Sequence, residues 1–326
     1  MNTEKRDSRL HEILGRFAGL KIAVIGDIIL DKYIYGKVER ISPEAPIPVV
    51  HVEKEKYVPG GAANVAANLA TLKGRSYLIG VTGKDKHREI LLERCKDLKI
   101  DTVGILVDPG RQTILKTRVI GMNQQLLRID YENTDYLVSN FSQNFSERIR
   151  EIKPDAIIIS DYAKGSVTKS LIDSMRQYSL NTGIRLIIDP KPKHKKWYKE
   201  TGMITPNKTE TESMVGFEIK SSADFLRAGS ILRNELQSEI ILTAGPEGIY
   251  VFNNDKMPHH IPTQAREVYD VSGAGDTVVA VLALSICAGA NLVEAATIAN
   301  YAAGLKVGKV GTSPVRLEEL NNLIMY

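Results

Sequence analysis

Five short segments of this chain are apolar at nearly every position: Lys21 to Ile25 (KIAVI), Arg75 to Val81 (RSYLIGV), Ala156 to Ser160 (AIIIS), Arg185 to Ile188 (RLII) and Ile240 to Thr243 (IILT). A strand with one wet face alternates apolar and polar residues, whereas a strand buried on both faces does not. The segments between them read as helices, among them the small-residue stretch Ala62 to Leu72 and the amphipathic stretch Arg88 to Leu98. Repeated strand–helix units of this kind predict an α/β fold with a mostly parallel central sheet flanked by helices. Ligands of such sheets bind beyond the carboxyl ends of the strands, so the polar residues just after each apolar run are the candidates for function.

Two segments break the rhythm. Residues 32–52 and 113–129 alternate apolar and polar positions with no helix between them, and TILKTRVI and QLLRI within the second read as antiparallel strands. They predict a small β-sheet lid built as insertions into one domain covering residues 1–326. Its exposed strand edges suggest pairing with a second copy, hence a homodimer through the lid.

Composition excludes several classes. With 43 basic and 39 acidic residues and a net charge of +4, the chain lacks the basic excess of a nucleic-acid binder, and one Trp and six Phe give little base-stacking surface. The densest basic stretch, Lys191 to Lys199, reads as a solvated loop. Cys95 and Cys287 are the only cysteines, and the six histidines, including the His259-His260 pair, show no ligand spacing, so neither a disulfide framework nor a metal cluster is expected. The start, MNTEKRDSRLHEILGRF, lacks the apolar core of a signal peptide. The longest apolar run, Val278 to Ala290, falls short of the roughly 20 residues needed to span a bilayer. A cytoplasmic protein with no membrane partner is expected.

The most informative segment is Asp270-Val-Ser-Gly-Ala-Gly-Asp-Thr277, which runs into that apolar helix. Gly273, Ala274 and Gly275 are small enough to let main-chain amides converge at a helix start, where unpaired donors and the helix dipole attract an anion. Asp276, in the same turn, is placed to take a proton from a hydroxyl. Phosphoryl transfer needs charge stabilisation and an oriented nucleophile above all. Other strand ends carry Asp27 and Asp31, able to accept from sugar hydroxyls, and the Gly60, Gly61 and Asn64 group, which allows close main-chain approach and offers an amide.

DVSGAGDT resembles the carboxy-terminal signature of the ribokinase-like (PfkB) sugar kinases, and Pro59-Gly-Gly-Ala-Ala-Asn-Val-Ala66 resembles their amino-terminal one. The resemblance narrows through Arg40 to Val50, Pro59 to Ala70, Asn123 to Asp130, Ser160 to Gly165 (SDYAKG), Ile188 to Lys191 (IDPK), Thr205 to Asn207, Pro262 to Val278 and Gly304 to Val315. Together they look like the kinase module of ADP-heptose biosynthesis. That module phosphorylates D-glycero-β-D-manno-heptose 7-phosphate at the C1 hydroxyl, on the way to lipopolysaccharide core precursors. Other sugar kinases of the family, or a non-catalytic nucleotide-binding regulator on the same fold, are the alternatives; a regulator would not need an intact GAGD turn.

What the resemblance implies follows. ATP and Mg²⁺ are the cofactors and a sugar phosphate the substrate. Asp276 is the base, with Gly273, Ala274 and Gly275 beside it. Asn207, Lys208, Thr209 and Glu210 match an N-x-x-E motif by the ATP phosphates, with Glu210 reaching magnesium through water. Thr243, Gly245 and Gly248 wrap the nucleotide, and Asn300 lies at the adenine side. A substrate that already carries a phosphate needs cations, for which Arg128, Lys164 and Lys191 are the candidates and Arg111 and Lys116 weaker ones. No HxGH nucleotidyltransferase motif occurs, so the adenylyltransferase of that pathway is expected as a separate chain. The same residues also have local roles: Asn207 and Glu210 can form a capping box, Asp27 and Asp31 can cap turns, and Asn300 can be a plain helix residue.

Overall fold

A computed structural model of the chain describes residues 3–122, 124–255, 257–263, 269–309 and 314–324. Asn123, residues 264–268 within the Pro262 to Val278 motif, and residues 310–313 within the Gly304 to Val315 motif therefore lie outside the described residues.

The described strands are β1 (Lys21–Gly26), β2 (Ile28–Ile41), β3 (Pro48–Gly61), β4 (Arg75–Thr82), β5 (Asp101–Val107), β6 (Ile114–Gly121), β7 (Gln124–Tyr131), β8 (Ala156–Ser160), β9 (Arg185–Asp189), β10 (Met203–Ile204), β11 (Glu239–Thr243), β12 (Ile249–Phe252) and β13 (His259–Ile261). Nine form one sheet in the order β13-β12-β11-β10-β9-β8-β1-β4-β5, parallel from β11 to β5, with β12 antiparallel to both β11 and β13. The five apolar segments are β1, β4, β8, β9 and β11 of this sheet, each within a residue of the expected bounds.

Their uninterrupted apolarity has a direct cause in packing. In β1, Ile22 and Val24 point into one core, and Ala23 and Ile25 into the other. The first core is covered by α1 (Thr3–Gly15), α2 (Ala62–Thr71) and α3 (Lys86–Asp97) and, later in the chain, by α8, α9 and α10 at Ala274–Cys287, Leu292–Val307 and Leu317–Ile324. The second lies under α4 (Ser139–Ile152), α5 (Lys169–Thr182), α6 (Lys208–Val215) and α7 (Ser222–Leu236). The run from Val278 is accordingly a buried helix, with every residue from Asp276 to Ser285 buried.

The remaining four strands form a second sheet, β3-β2-β6-β7, antiparallel except for the β2–β6 pair. It is larger than the alternating pattern indicated. Its first arm runs from Ile28 to Gly61 rather than over residues 32–52, because Pro59-Gly60-Gly61 completes β3 instead of forming a loop before α2. Only Asp27 separates β1 from β2.

Gly26 permits the closest approach in the central sheet. A Cβ there would lie 2.0 Å from the main-chain oxygen of Ser160 in β8, the strand registered beside it. A backbone oxygen held in a ladder cannot swing aside as a side-chain tip can. Gly26→Ala is expected to cost on the order of 3 kcal/mol, the upper part of the usual range for overpacking. Urea denaturation measures it; an unchanged midpoint would mean that β1 and β8 separate without penalty.

Candidate active site

The carboxyl ends of β1, β8 and β9 face the start of α8, and the candidate residues gather there. Asp276 occupies the first turn of α8 and is 7% exposed. Its Oδ2 accepts from Asn64 Nδ2 at 2.5 Å and its Oδ1 from the Tyr162 hydroxyl at 2.9 Å. Burial pushes the Asp276 carboxyl up to about 6 against the pull of these two hydrogen bonds; Asp31 adds to the upward push and Lys191 opposes it. That is a carboxylate still ionised at neutral pH yet basic enough to accept a proton.

The turn before it is shaped as an anion site. Gly273 caps α8 at φ 73°, a left-handed conformation suited to glycine. Ala274 N–H turns back to the Val271 carbonyl at 3.2 Å, so the expected contribution of Ala274 is corrected: its donor is already used. The amides of Gly275 and Asp276 are the ones that a helix start leaves unpaired. A Cβ on Gly275 would meet nothing within 4 Å, so the turn is open on that side. Lys306, on α9 and 2% exposed, lies behind the turn, its Cε 3.7 Å from where a Gly273 Cβ would be.

Asp27 takes a different role from the one expected. Its Oδ2 accepts the amides of Tyr162 and Lys164 at 2.9 and 3.0 Å, and its Oδ1 accepts that of Ser166 at 2.9 Å. It is fully buried, and both oxygens are engaged with the loop after β8, so it holds that loop rather than meeting a sugar. Asp31 does face the cleft, paired with Arg118 at 2.5 Å. Gly60 makes room for it: a Cβ there would lie 2.3 Å from Asp31 Oδ2. Gly61, at φ 54°, is packed against the Asp27 carbonyl and Ile29 and does not open to the cleft.

The second sheet bends over this cleft. Burial, with Asp31, Tyr35 and Asp270 nearby, pushes the Tyr33 hydroxyl up to about 12, with Arg118 opposing, so Tyr33 of β2 lies beside Asp31 and toward Asp270, the first residue of the DVSGAGDT segment.

The three expected phosphate-binding cations do not converge. Lys191 pairs with Glu210 at 2.6 Å and lies 5.4 Å over the Tyr162 ring, between Asp276 and α6. Arg128 sits on β7, half-exposed and paired with Asp130. Lys164 pairs with Glu132 at 2.5 Å, and Lys116 lies 3.8 Å from the same carboxylate. Arg111 Nη1 donates to the Lys164 carbonyl at 3.4 Å, so the cationic group is Lys164, Lys116 and Arg111.

Along the other rim, Asn207 and Glu210 form the capping box of α6, and Asn207 bridges to Thr243 at the end of β11. Lys208 turns outward, with Phe225 and Glu212 as neighbours, and Thr209 is exposed. Gly245 is open at φ 59°, whereas Gly248 packs under the Ile261 carbonyl. Asn300 is corrected too: 4% exposed, it donates to the Pro262 carbonyl at 2.7 Å and secures the chain after β13. Among the described residues no group of three or more His, Cys, Asp or Glu side chains could hold a metal, and no helix is long and apolar enough to cross a membrane.

Sequence reasoning passed over several groups at the site. Tyr162 and Asp189 lie inside the SDYAKG and IDPK motifs but were not singled out. Burial and the neighbouring Asp276 and Glu210 hold the Asp189 carboxyl well above the usual range. The Lys191 to Lys199 stretch is not simply solvated: His194 is 1% exposed, with Nδ1 2.6 Å from Asp161 Oδ2, which also accepts from the Tyr198 hydroxyl. His194 also meets the Tyr136 hydroxyl at 2.8 Å and stacks on Trp197, and its partners Asp161 and Tyr136 lie far from it in sequence, so no local pattern signals its burial.

Comparison with known proteins agrees with this geometry. The family model described as pfkB family carbohydrate kinase matches residues 20–319. Among curated relatives, the bifunctional protein HldE of Magnetococcus marinus is 39% identical over 97% of this chain, and that of Desulfatibacillum aliphaticivorans 42% identical over 93%. The chain spans 66% and 63% of the lengths of those two proteins. Similar solved structures include Arabidopsis thaliana ribokinase complexed with ribose and ATP (TM-score 0.76) and Escherichia coli phosphofructokinase-2 in complex with potassium (TM-score 0.79). Each is 18% identical and covers 94% of this chain and 99% of its own, a likeness of fold: the ribokinase-like one. A match over nearly all the described sheet, with the buried Asp276 at its centre, means that the chain belongs to the pfkB family of carbohydrate kinases.

Proposed function

We propose that this chain transfers the γ-phosphoryl group of ATP to the C1 hydroxyl of D-glycero-β-D-manno-heptose 7-phosphate, giving heptose 1,7-bisphosphate in the cytoplasm. The observation that carries the reaction is Asp276, buried and hydrogen-bonded in the same helix turn as the amides of Gly275 and Asp276. The choice of sugar rests on the motif resemblance and on the likeness to the HldE proteins, and the Lys164, Lys116 and Arg111 group supports a second phosphate on the substrate.

In this reading the sugar lies between Asp31 and Asp276, and its C1 hydroxyl gives its proton to Asp276 as the oxygen attacks phosphorus. The amides at the start of α8 and the charge of Lys306 stabilise the transferred group. ATP lies along the rim from Asn207 and Thr243 to Gly245. The residues fit a magnesium ion that arrives on the nucleotide and keeps most of its waters, because Glu210 faces the cleft but no protein cage exists among the described residues. Magnesium supplies charge neutralisation between the phosphates. The second sheet acts as the lid that excludes water. Leu127, Ile129 and Tyr131 of β7 leave apolar surface for a second copy.

Asp276→Asn keeps the size and removes the proton acceptor. It is expected to lower kcat by at least about 10²-fold while ATP affinity by calorimetry holds; a normal kcat would remove Asp276 as the base. Because the base works ionised and titrates near 6, kcat should be level above that pH and fall as pH drops through it. A profile flat down to pH 5 would place the proton acceptor elsewhere.

The substrate is tested by comparing heptose 7-phosphate with the same sugar lacking its phosphate. Two charge-assisted hydrogen bonds imply a loss of about 10²–10⁴-fold in kcat/KM. Lys164→Ala should reproduce part of that loss with the phosphorylated sugar and little of it with the other. Equal turnover of both sugars would leave a kinase of different specificity, and no turnover with any sugar would favour a regulator.

A further inference from the structure

Asp276 is held from two sides, and the two donors differ in kind. Asn64, on α2, belongs to the glycine-rich segment that borders the sugar. Tyr162 comes from beneath, from the loop after β8, and its hydroxyl reaches Oδ1 at 2.9 Å. Nothing in that loop is left loose. The Tyr162 amide is fixed on Asp27, Ala163 N–H donates to Asp161 at 2.7 Å, and Asp161 is itself held by His194 and Tyr198. The ring of Tyr162 lies under the Lys191 ammonium at 5.4 Å. A phenol placed this firmly cannot follow its partner; the partner has to stay with it.

We infer that Tyr162 is a positioning residue that keeps Asp276 ionised and fixes the plane of its carboxylate, so that the remaining lone pair of Oδ2, the oxygen that also accepts from Asn64, is aimed to take the substrate proton. The inference rests on Asp276 being the base. Its physical content is that a donor aimed at a buried carboxylate stabilises the charged form and opposes desolvation. The charged and titratable groups around Asp276 are Asp31 from β2, Asp189 and Lys191 from the end of β9 with Glu210 of α6 paired to Lys191, and Lys306 with Asp270 at the far side. Two cations stand against four acidic side chains, so this surrounding does not by itself secure ionisation. Tyr162 is suited to the task because it does not ionise: burial, with Asp276 and Asp189 nearby, raises its hydroxyl well above the ordinary range, so it remains a donor throughout. When the substrate hydroxyl loses its proton, the proton resides on Asp276, and Tyr162 keeps its own.

Tyr162→Phe retains the ring under Lys191 and deletes only the donor. Loss of a hydrogen bond to the charged form raises the pKa, so the acid limb of kcat should move about one to two pH units alkaline. Below both limbs kcat should then fall about 10–100-fold, and above both the two enzymes should converge. Ionisations of ATP and sugar phosphate are common to both enzymes and cancel in the comparison. An unmoved limb, or the same loss at every pH, would overturn the inference and make Tyr162 only a shaping residue. If the phenylalanine variant folds poorly, fluorotyrosine placed at 162 keeps the size and is the stronger donor; it should move the limb to lower pH, and no movement would again overturn the idea. A carbon-13 titration of aspartate carboxyls, with the Asp276 signal assigned by its loss in Asp276→Asn, reads the same shift without turnover. If the wild type phosphorylates no sugar, the proposed function fails while this titration still decides the role of Tyr162.

Discussion

The site depends on one buried carboxylate that does no chemistry. Asp27 sits in the single-residue gap between β1 and β2 and accepts three main-chain amides from the loop after β8. Those donors have no other partner in the sheet, and a buried amide without one costs about 1–3 kcal/mol. The loop they hold carries Tyr162 to Asp276 and Lys164 to the cationic group. Removing the Asp27 side chain would therefore release both ends of the cleft at once, although the residue touches no reacting atom.

Around Asp276 the protein collects negative charge in a poorly solvated place. Asp31, Asp189 and Glu210 all lie near it, and burial raises the carboxyls of both Asp276 and Asp189. Such a cluster is unfavourable unless cations share it, and each neighbouring cation is accordingly shared: Arg118 with Asp31, Lys191 with Glu210, Lys164 with Glu132. Phosphate groups and magnesium entering this cleft would exchange partners with charges that are already paired, so binding replaces ion pairs instead of creating them in a vacuum of charge.

The fold was readable because packing on both faces leaves a mark in consecutive residues: KIAVI and AIIIS have no polar position because neither face of β1 or β8 meets water. The cleft position of Asp276 was readable because its turn is local, with Gly273, Gly275 and Asp276 inside four residues. What the sequence could not convey were contacts made across the fold. Asp27 and Asp31 look alike as acids after a strand, and only the position of the β8 loop distinguishes anchor from cleft residue. Lys191 and Lys164 look alike as lysines in family-like motifs, yet one turns to Glu210 and the other to Glu132. Asn300 is occupied by a carbonyl 38 positions away in sequence. The end of the second sheet was misjudged because glycines at Gly60 and Gly61 hide the alternation that marked the rest of β3.

The way the second sheet is attached limits how it can move. β2 leaves β1 through Asp27 alone, and β3 passes straight into α2 at Ala62, so both roots are short, buried and tied into the central sheet. No slack segment is present at either root to serve as a pivot. Further out, the β2–β3 ladder is interrupted between Tyr35 and Gly36 and again between Val38 and Arg40. Such irregularities bend a strand and increase its twist locally. The arm is therefore anchored at the cleft and re-aimed only further out: Asp31 and Tyr33 lie on the regular part of the ladder, and the changes of direction come after them.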